Sequence, residues 1–358
     1  MTPALLPRAR RTPPSRAERV LVALGGNAIQ LAHDHGTWAE AVRQVRRTSK
    51  ALAYVVRTGR ELVITHGNGP QVGNLLREAE LGAPEVPAPP MHVIDAESQG
   101  QIGYLIAQEL VTALRRAGLR HSVLPIVSRT EVSGRDSAFR HPTKPVGQFY
   151  SAAEARRLRR TRGWTLREDR ERGGWRRVVP SPRPLRWLEA ELVRAMIDAG
   201  LGERCVFVVC GGGGIPVVRR GARWEGVDAV IDKDRAAALV GRALDVDTLA
   251  IVTDVPGAAL DFASGRPRWL GAVRAQDLER YWRQGEFAEG SMGPKVEAGL
   301  EFLRSGGRSL VITDIASLPA ALEGRAGTRV SVGRGARGRA RGRPGVVAAP
   351  KRGAPGDR

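Results

Sequence analysis

The chain has 358 residues, 42% of them hydrophobic, and a formal net charge of +20; that length suffices for one large core or two moderate ones. No apolar run approaches the roughly 20 residues of a membrane-spanning helix, so no membrane partner is expected. Residues 1–19 carry +4 and residues 325–358 carry +9, which leaves +7 for 20–324, a balance that gives the core no reason to seek nucleic acid.

Residues 1–19 hold four prolines among their arginines and no continuous apolar stretch. They read as a disordered basic extension and not as a secretory signal. The first element is a strand, Val20–Leu24, which runs into the turn Gly25-Gly26-Asn27. A helix is expected over Trp38–Arg57, then a second strand, Leu62–Thr65, which runs into His66-Gly67-Asn68-Gly69-Pro70 and another helix. A helix over Glu97–Ala117 and a strand over Ser122–Val127 come next. Between Thr130 and Arg186 the pattern breaks over a length too great for a bare loop, and an inserted lid subdomain is expected over 130–186. Beyond it, strands are expected at Cys205–Val209, Val227–Ile231, Thr248–Val252 and Ser309–Thr313. Helices are expected at Asp234–Ala243, Ala275–Gln284 and Pro294–Ser305. This alternation predicts an α/β domain over 20–330, with a central, mainly parallel sheet and helices on both faces.

The last segment, 331–358, alternates Gly and Arg between Gly333 and Gly345 and is expected to be disordered. It lacks the interleaved aromatics that help bind single strands. Cys205 and Cys210, the only cysteines, share one apolar run expected to be a strand, which puts them on opposite faces. Buried and without metal-ligand spacing, they fit a cytoplasmic protein.

Of the 57 basic residues only five are lysines: Lys50, Lys144, Lys233, Lys295 and Lys351. Arginine is the default cation, so a retained lysine points to a task for a compact ammonium, such as contact with a single phosphoryl oxygen. Three of the five sit in unusual contexts: Pro142-Thr143-Lys144-Pro145, Ile231-Asp232-Lys233-Asp234 and Ser291-Met292-Gly293-Pro294-Lys295. Glycine turns after strands offer backbone N–H groups to anions and let them come close, at the carboxyl end of the sheet where ligands bind. Gly211–Gly214 adds a third turn, and four consecutive glycines predict a close approach to the backbone. Neither the nucleotide-hydrolase phosphate loop nor the dinucleotide fingerprint is present. Nor is there a Ser-His-Asp signature, a His-Glu-x-x-His or a zinc-spaced Cys pair. Lysines and glycine turns suit phosphoryl transfer to an acceptor that is already an anion and needs no general base.

Gly25–Ala28, His66–Gly73, Pro142–Pro145, Gly173–Pro182, Cys210–Pro216, Val230–Asp234 and Ser291–Lys295, in this order, resemble the carbamate kinases of the amino-acid kinase superfamily. The first turn indicates the superfamily; Pro142–Pro145 and the run Trp175–Pro182 point to carbamate kinases. The resemblance implies reversible transfer between ATP and carbamate, giving ADP and carbamoyl phosphate, with Mg²⁺ bound with ATP. It implies a homodimer, and often a flow towards ATP at the end of arginine catabolism by the deiminase route. By motif, Lys233 is expected at the transferring phosphoryl group, with Asp234 holding the lysines, Lys295 on nucleotide phosphate and Lys144 reaching in from the lid. Gly25, Gly26, Asn27, Gly67, Asn68 and Gly69 are expected to cradle carbamate and phosphate. Thr253, Asp254, Ser291 and Met292, with Lys233 and Lys295, are expected beside the nucleotide. Asp234 is also placed to cap the helix that starts there. The loop Thr253-Asp254-Val255-Pro256-Gly257 departs from the family pattern through its proline. The alternatives are another amino-acid kinase acting on a different carboxylate or phosphonate, and a non-enzymatic regulator or RNA-binding protein on the same scaffold, its tail supplying the affinity.

Overall fold

The structure, a computed structural model, describes residues 16–332 except 32–33, 170–172 and 289, so most of both tails lies outside it. Among the described residues eight strands form the central sheet. Their order is Ala272–Arg274, Thr328–Ser331, Ser309–Asp314, Thr248–Thr253, Arg19–Leu24, Glu61–His66, Cys205–Val208 and Ser122–Pro125. Only the pairing of Ser309–Asp314 with Thr328–Ser331 is antiparallel.

Alternate residues of these strands serve the two faces. Leu21, Ala23, Leu249, Ile251, Leu310 and Ile312 join one buried cluster, covered by the helices Lys233–Ala243 and Met292–Arg304. Val20, Val22, Leu24, Ala250, Val252 and Val311 join the other, covered by Trp38–Arg57 and Met91–Arg116. Strands buried on both faces read as continuous apolar runs, which is why composition alone finds them. Helix Trp38–Arg57 begins where the sequence puts it because Thr37 and Glu40 form a reciprocal capping box.

Several expectations need correction. Val227–Ile231 is not a strand: Val230 and Ile231 are buried, but Val230 N donates only to Pro180 O, at 2.9 Å. Apolarity reported burial there, not a ladder partner. The cysteines do not face opposite sides, because the strand stops at Val208 and Cys210 takes a left-handed conformation, φ 48°; both side chains end in the same cluster. The N-terminal extension ends earlier than residue 19. Arg16 pairs with Asp247, Glu18 with Arg60, and Arg19 is the buried first residue of its strand.

The 130–186 insert has two parts. Its roots, Arg129–Val132 and Pro184–Trp187, join Ile215–Arg220 and Arg223–Gly226 in a four-stranded sheet. Residues 144–179 form a separate small subdomain: strands Lys144–Tyr150, Trp175–Val179 and Leu166–Glu168 in one antiparallel sheet, with helix Ala152–Arg162 over it. Tyr150, Ala155, Leu158 and Leu166 are its own core. It meets the body at helix Gly69–Gly82, where a Cβ added to Gly73 would stand 3.3 Å from Gly147 Cα.

Candidate active site

Strands Arg19–Leu24 and Glu61–His66 lie side by side in the middle of the sheet and end in the two glycine turns. Gly25 N donates to Val252 O at 3.0 Å and Gly67 N to Leu24 O at 2.9 Å, so these two amides complete the sheet and do not face a ligand. The donors left for an anion are the leading amides of the turn Gly26–Ala28 and of helix Gly69–Gly82, which have no intrahelical acceptor.

Lys233 crosses the second turn. A Cβ on Gly67 would stand 3.2 Å from Lys233 Cδ, so glycine here gives the lysine clearance. The helix that Lys233 opens is capped by Asp232, whose Oδ1 accepts from Asp234 N at 3.0 Å and Arg235 N at 3.3 Å. Asp234 is therefore not the cap. One residue inside the first turn, with a side chain 4% exposed, it accepts from Lys233 Nζ at 2.5 Å and Lys295 Nζ at 3.4 Å. Lys295 reaches it because helices Lys233–Ala243 and Met292–Arg304 pack together, and it also donates to Ser291 O at 3.2 Å. Lys144, on the first strand of the small subdomain, donates to Asp232 Oδ2 at 2.9 Å.

Three lysines far apart in sequence thus meet two carboxylates, which leaves one positive charge uncompensated. Burial opposes the charge on Asp232, yet Lys144 beside it, Lys233 and the capped amide of Arg235 hold its carboxyl well below the usual range. Sequence reasoning missed Asp232 as a site residue. Its signal was the pattern of an acid just before Lys-Asp-Arg-Ala-Ala, an N-cap position.

Thr253, Asp254, Ser291 and Met292 line one cavity of about 200 Å³ with Val255, Phe262 and Phe287. Pro256 is not part of its lining, and Phe262 and Phe287 had no sequence signal. A larger cavity, about 530 Å³, lies among Arg16, Asp247, Arg308 and Arg329. It opens where strands begin, at the end of the sheet away from the lysines.

Below the turns the protein fills its own gaps. A Cβ on Gly211 would stand 2.4 Å from the His66 ring, and one on Gly212 2.1 Å from Asn68 Nδ2. The close approach to the four glycines is therefore made by His66, Asn68, Ile231 and Thr130, not by a ligand. His66 ends its strand and is buried, which pushes its pKa down to about 4; the ring stays neutral. Asn68 donates to Ser98 Oγ at 2.9 Å. Behind it lies Asp95, 3% exposed, with neither carboxylate oxygen in hydrogen-bond geometry. Burial pushes its carboxyl well up; the nearby Asn68 amide opposes the rise and Asp228 adds to it. Among the described residues no three His, Cys, Asp or Glu side chains gather as a metal site.

The profile of the Amino acid kinase family matches residues 18–314. A carbamate kinase of Pyrococcus horikoshii is 44% identical over 316 residues, 88% of this chain and 99% of that protein. One of Pyrococcus furiosus is 44% identical over 315 residues, 87% and 99%. The solved structure of a carbamate kinase from Giardia lamblia bound to AMP-PNP is 37% identical, covers 88% of this chain and 99% of its own, and superposes with a TM-score of 0.81. Fold, lysine cluster and relatives agree: the chain is a phosphotransferase that belongs to the amino acid kinase family and, within it, to the carbamate kinases.

Proposed function

We propose that the enzyme transfers a phosphoryl group reversibly between ATP and carbamate, giving ADP and carbamoyl phosphate. The observation that carries this is the cluster in which Asp234 holds Lys233 and Lys295 beside the Gly67 turn. Carbamate is an anion, so its oxygen attacks without losing a proton. The work left to the protein is alignment and cancellation of charge. Lys233 meets the charge developing on the transferring group, and Lys295 the phosphate it leaves or joins. Lys144, released from Asp232, completes the enclosure. The leading amides after Gly25 and Gly67 hold the acceptor and the phosphoryl oxygens. Thr253, Asp254, Ser291 and Met292 line the cavity for the nucleotide base and ribose.

Mg²⁺ belongs with the nucleotide in this scheme. The site's two carboxylates are engaged by lysines, a donor set suited to an ion that arrives on phosphates and needs few protein carboxylates. Bound there, it would neutralise charge on the phosphate oxygens. The enzyme works as a cytoplasmic homodimer, with ATP formation at the end of arginine catabolism as its cellular task. A coupled assay of ATP formed from ADP and carbamoyl phosphate tests the reaction. ATP produced at a rate proportional to enzyme supports it; no ATP, with phosphorylation of another carboxylate or a phosphonate by ATP, would replace carbamate as the acceptor.

A further inference from the structure

Counted along the chain, the +7 of residues 20–324 looks dilute; placed on the structure, it is not. Residues 144–179 contain Lys144 and ten arginines against Glu154, Glu168, Asp169 and Glu171, a net charge of +7. The rest of 20–324 sums to zero. Among the described residues of 20–324 the segment carries +6 and the rest +1, so nearly the whole excess sits on one small subdomain. A compositional preference for arginine explains arginine in place of lysine, but it does not explain why acids balance bases everywhere else.

The arginines are held for use. Arg156, Arg157 and Arg160 stand exposed on helix Ala152–Arg162, and Arg167 is exposed on the adjoining strand. None of these four forms an ion pair with a described residue. Beside them Arg159 lies over the Trp175 ring at 4.7 Å, and Arg162 and Arg177 over Trp164 at 5.2 and 4.4 Å. Stacked guanidinium planes lose less freedom on binding; Arg159 spends part of its edge on Leu166 O, and the four exposed arginines keep theirs for contact with oxyanions.

Attraction of the enzyme's own substrates does not account for the cluster. The helix starts beyond the seven-residue strand that carries Lys144, roughly 20 Å away at about 3.3 Å per residue. That is more than two Debye lengths of about 8 Å at physiological salt, so its field at the lysine cluster is largely screened. We infer that the outer face of this subdomain docks the phosphate backbone of a nucleic acid. An acidic protein would meet one contiguous face. Here most of the remaining charge, +9 in 325–358, lies in a separate segment, which suits a long ligand of uniform charge. Because guanidinium groups already cover the indoles, bases gain little by stacking and binding is indifferent to sequence. The inference is independent of the phosphotransfer reading.

The test is fluorescence anisotropy of the full chain with a labelled single-stranded RNA across a series of KCl concentrations. The comparison is the variant Arg156→Gln/Arg157→Gln/Arg160→Gln, which touches neither the lysine cluster nor the nucleotide cavity; unchanged melting and phosphotransfer establish that it folds. Losing three phosphate contacts lowers the slope of log K against log[KCl] by about 2 and weakens binding about a hundredfold near 0.1 M salt. Mixed-sequence and single-base RNAs bind alike. A variant that binds as tightly as the parent would assign the affinity to the tails and overturn the inference. So would absence of binding at low salt, or tighter binding to polyglutamate or to anionic lipid vesicles than to RNA.

Discussion

Lys233 and Lys295 come from the body of the molecule, 14% and 18% exposed, and share one buried carboxylate, Asp234. Lys144 comes from the small subdomain, is 34% exposed, and is held by one oxygen of Asp232. The first pair is anchored by two packed helices of the core. The third is presented by a segment with its own core, joined to the body through residues on either side of 144–179. Two cations are thus set by the core and one by the small subdomain. The difference teaches that the cations of one site can be held by separate parts of the chain, meeting at the two carboxylates of one helix start.

The most severe way to break the built-in side is Lys233→Ala, which is expected to lower kcat roughly 10²–10³-fold with little change in KM. Lys233→Arg is expected to be poor as well, because the stem passes tightly over Gly67 and the guanidinium fork is wider than an ammonium. Wild-type kcat in steady-state assays of the alanine variant would remove Lys233 from the reaction. On the subdomain side, Lys144→Ala is expected to cost about 10–10² in kcat/KM, the value of one charge-assisted hydrogen bond. With ADP and carbamoyl phosphate bound, amide exchange across 140–150 is expected to slow; unchanged exchange and a fully active Lys144→Ala variant would make the subdomain a rigid appendage.

A gentler change sharpens the same contrast. Asp232→Asn keeps a good N-cap and removes the ion pair with Lys144. Melting is expected to stay near the parent value while exchange across 140–150 in the free enzyme speeds up. Slower or equal exchange would show that this contact does not hold the subdomain.

The smallest effect is expected in the body, at Asp95. Its folded-state carboxyl is raised by burial, so the stability tied to its proton is complete below the unfolded pKa, near 3.9. That stability is lost as pH rises towards the folded value. Asp95→Asn is expected to raise the melting temperature more at pH 8 than at pH 5; an equal or opposite difference would mean that Asp95 is charged where it lies.

How legible was all this? Arg19–Leu24, Thr248–Thr253 and Ser309–Asp314 were readable because both faces are buried and their interiors, 20–24, 249–252 and 310–312, are unbroken apolar runs. The roots of the insert were not: Arg129–Val132 and Pro184–Trp187 mix exposed and buried residues over only four positions each. The scarcity of lysine singled out the three cations. Their partnership with Asp232 and Asp234 was half visible, since Lys144 and Asp232 are 88 positions apart. Asp95 left a trace that composition hides: it stands on the inward face with Met91, Ser98 and Ile102 of helix Met91–Arg116, where a carboxylate is unexpected.

At Gly73 the body gives up helix stability to bring the subdomain close. Alanine in the interior of helix Gly69–Gly82 would favour the helix by about 0.8–1.0 kcal/mol, and nothing in the helix itself forbids it. The obstacle is across the gap, where the added carbon would press on the backbone of Gly147, itself in the left-handed region at φ 70°. Two bare backbones make a flush seat, and Gly73→Ala would work as a shim of one methyl. It would leave every charge in place and alter only the spacing between subdomain and body, a mechanical adjustment of an electrostatic catalyst.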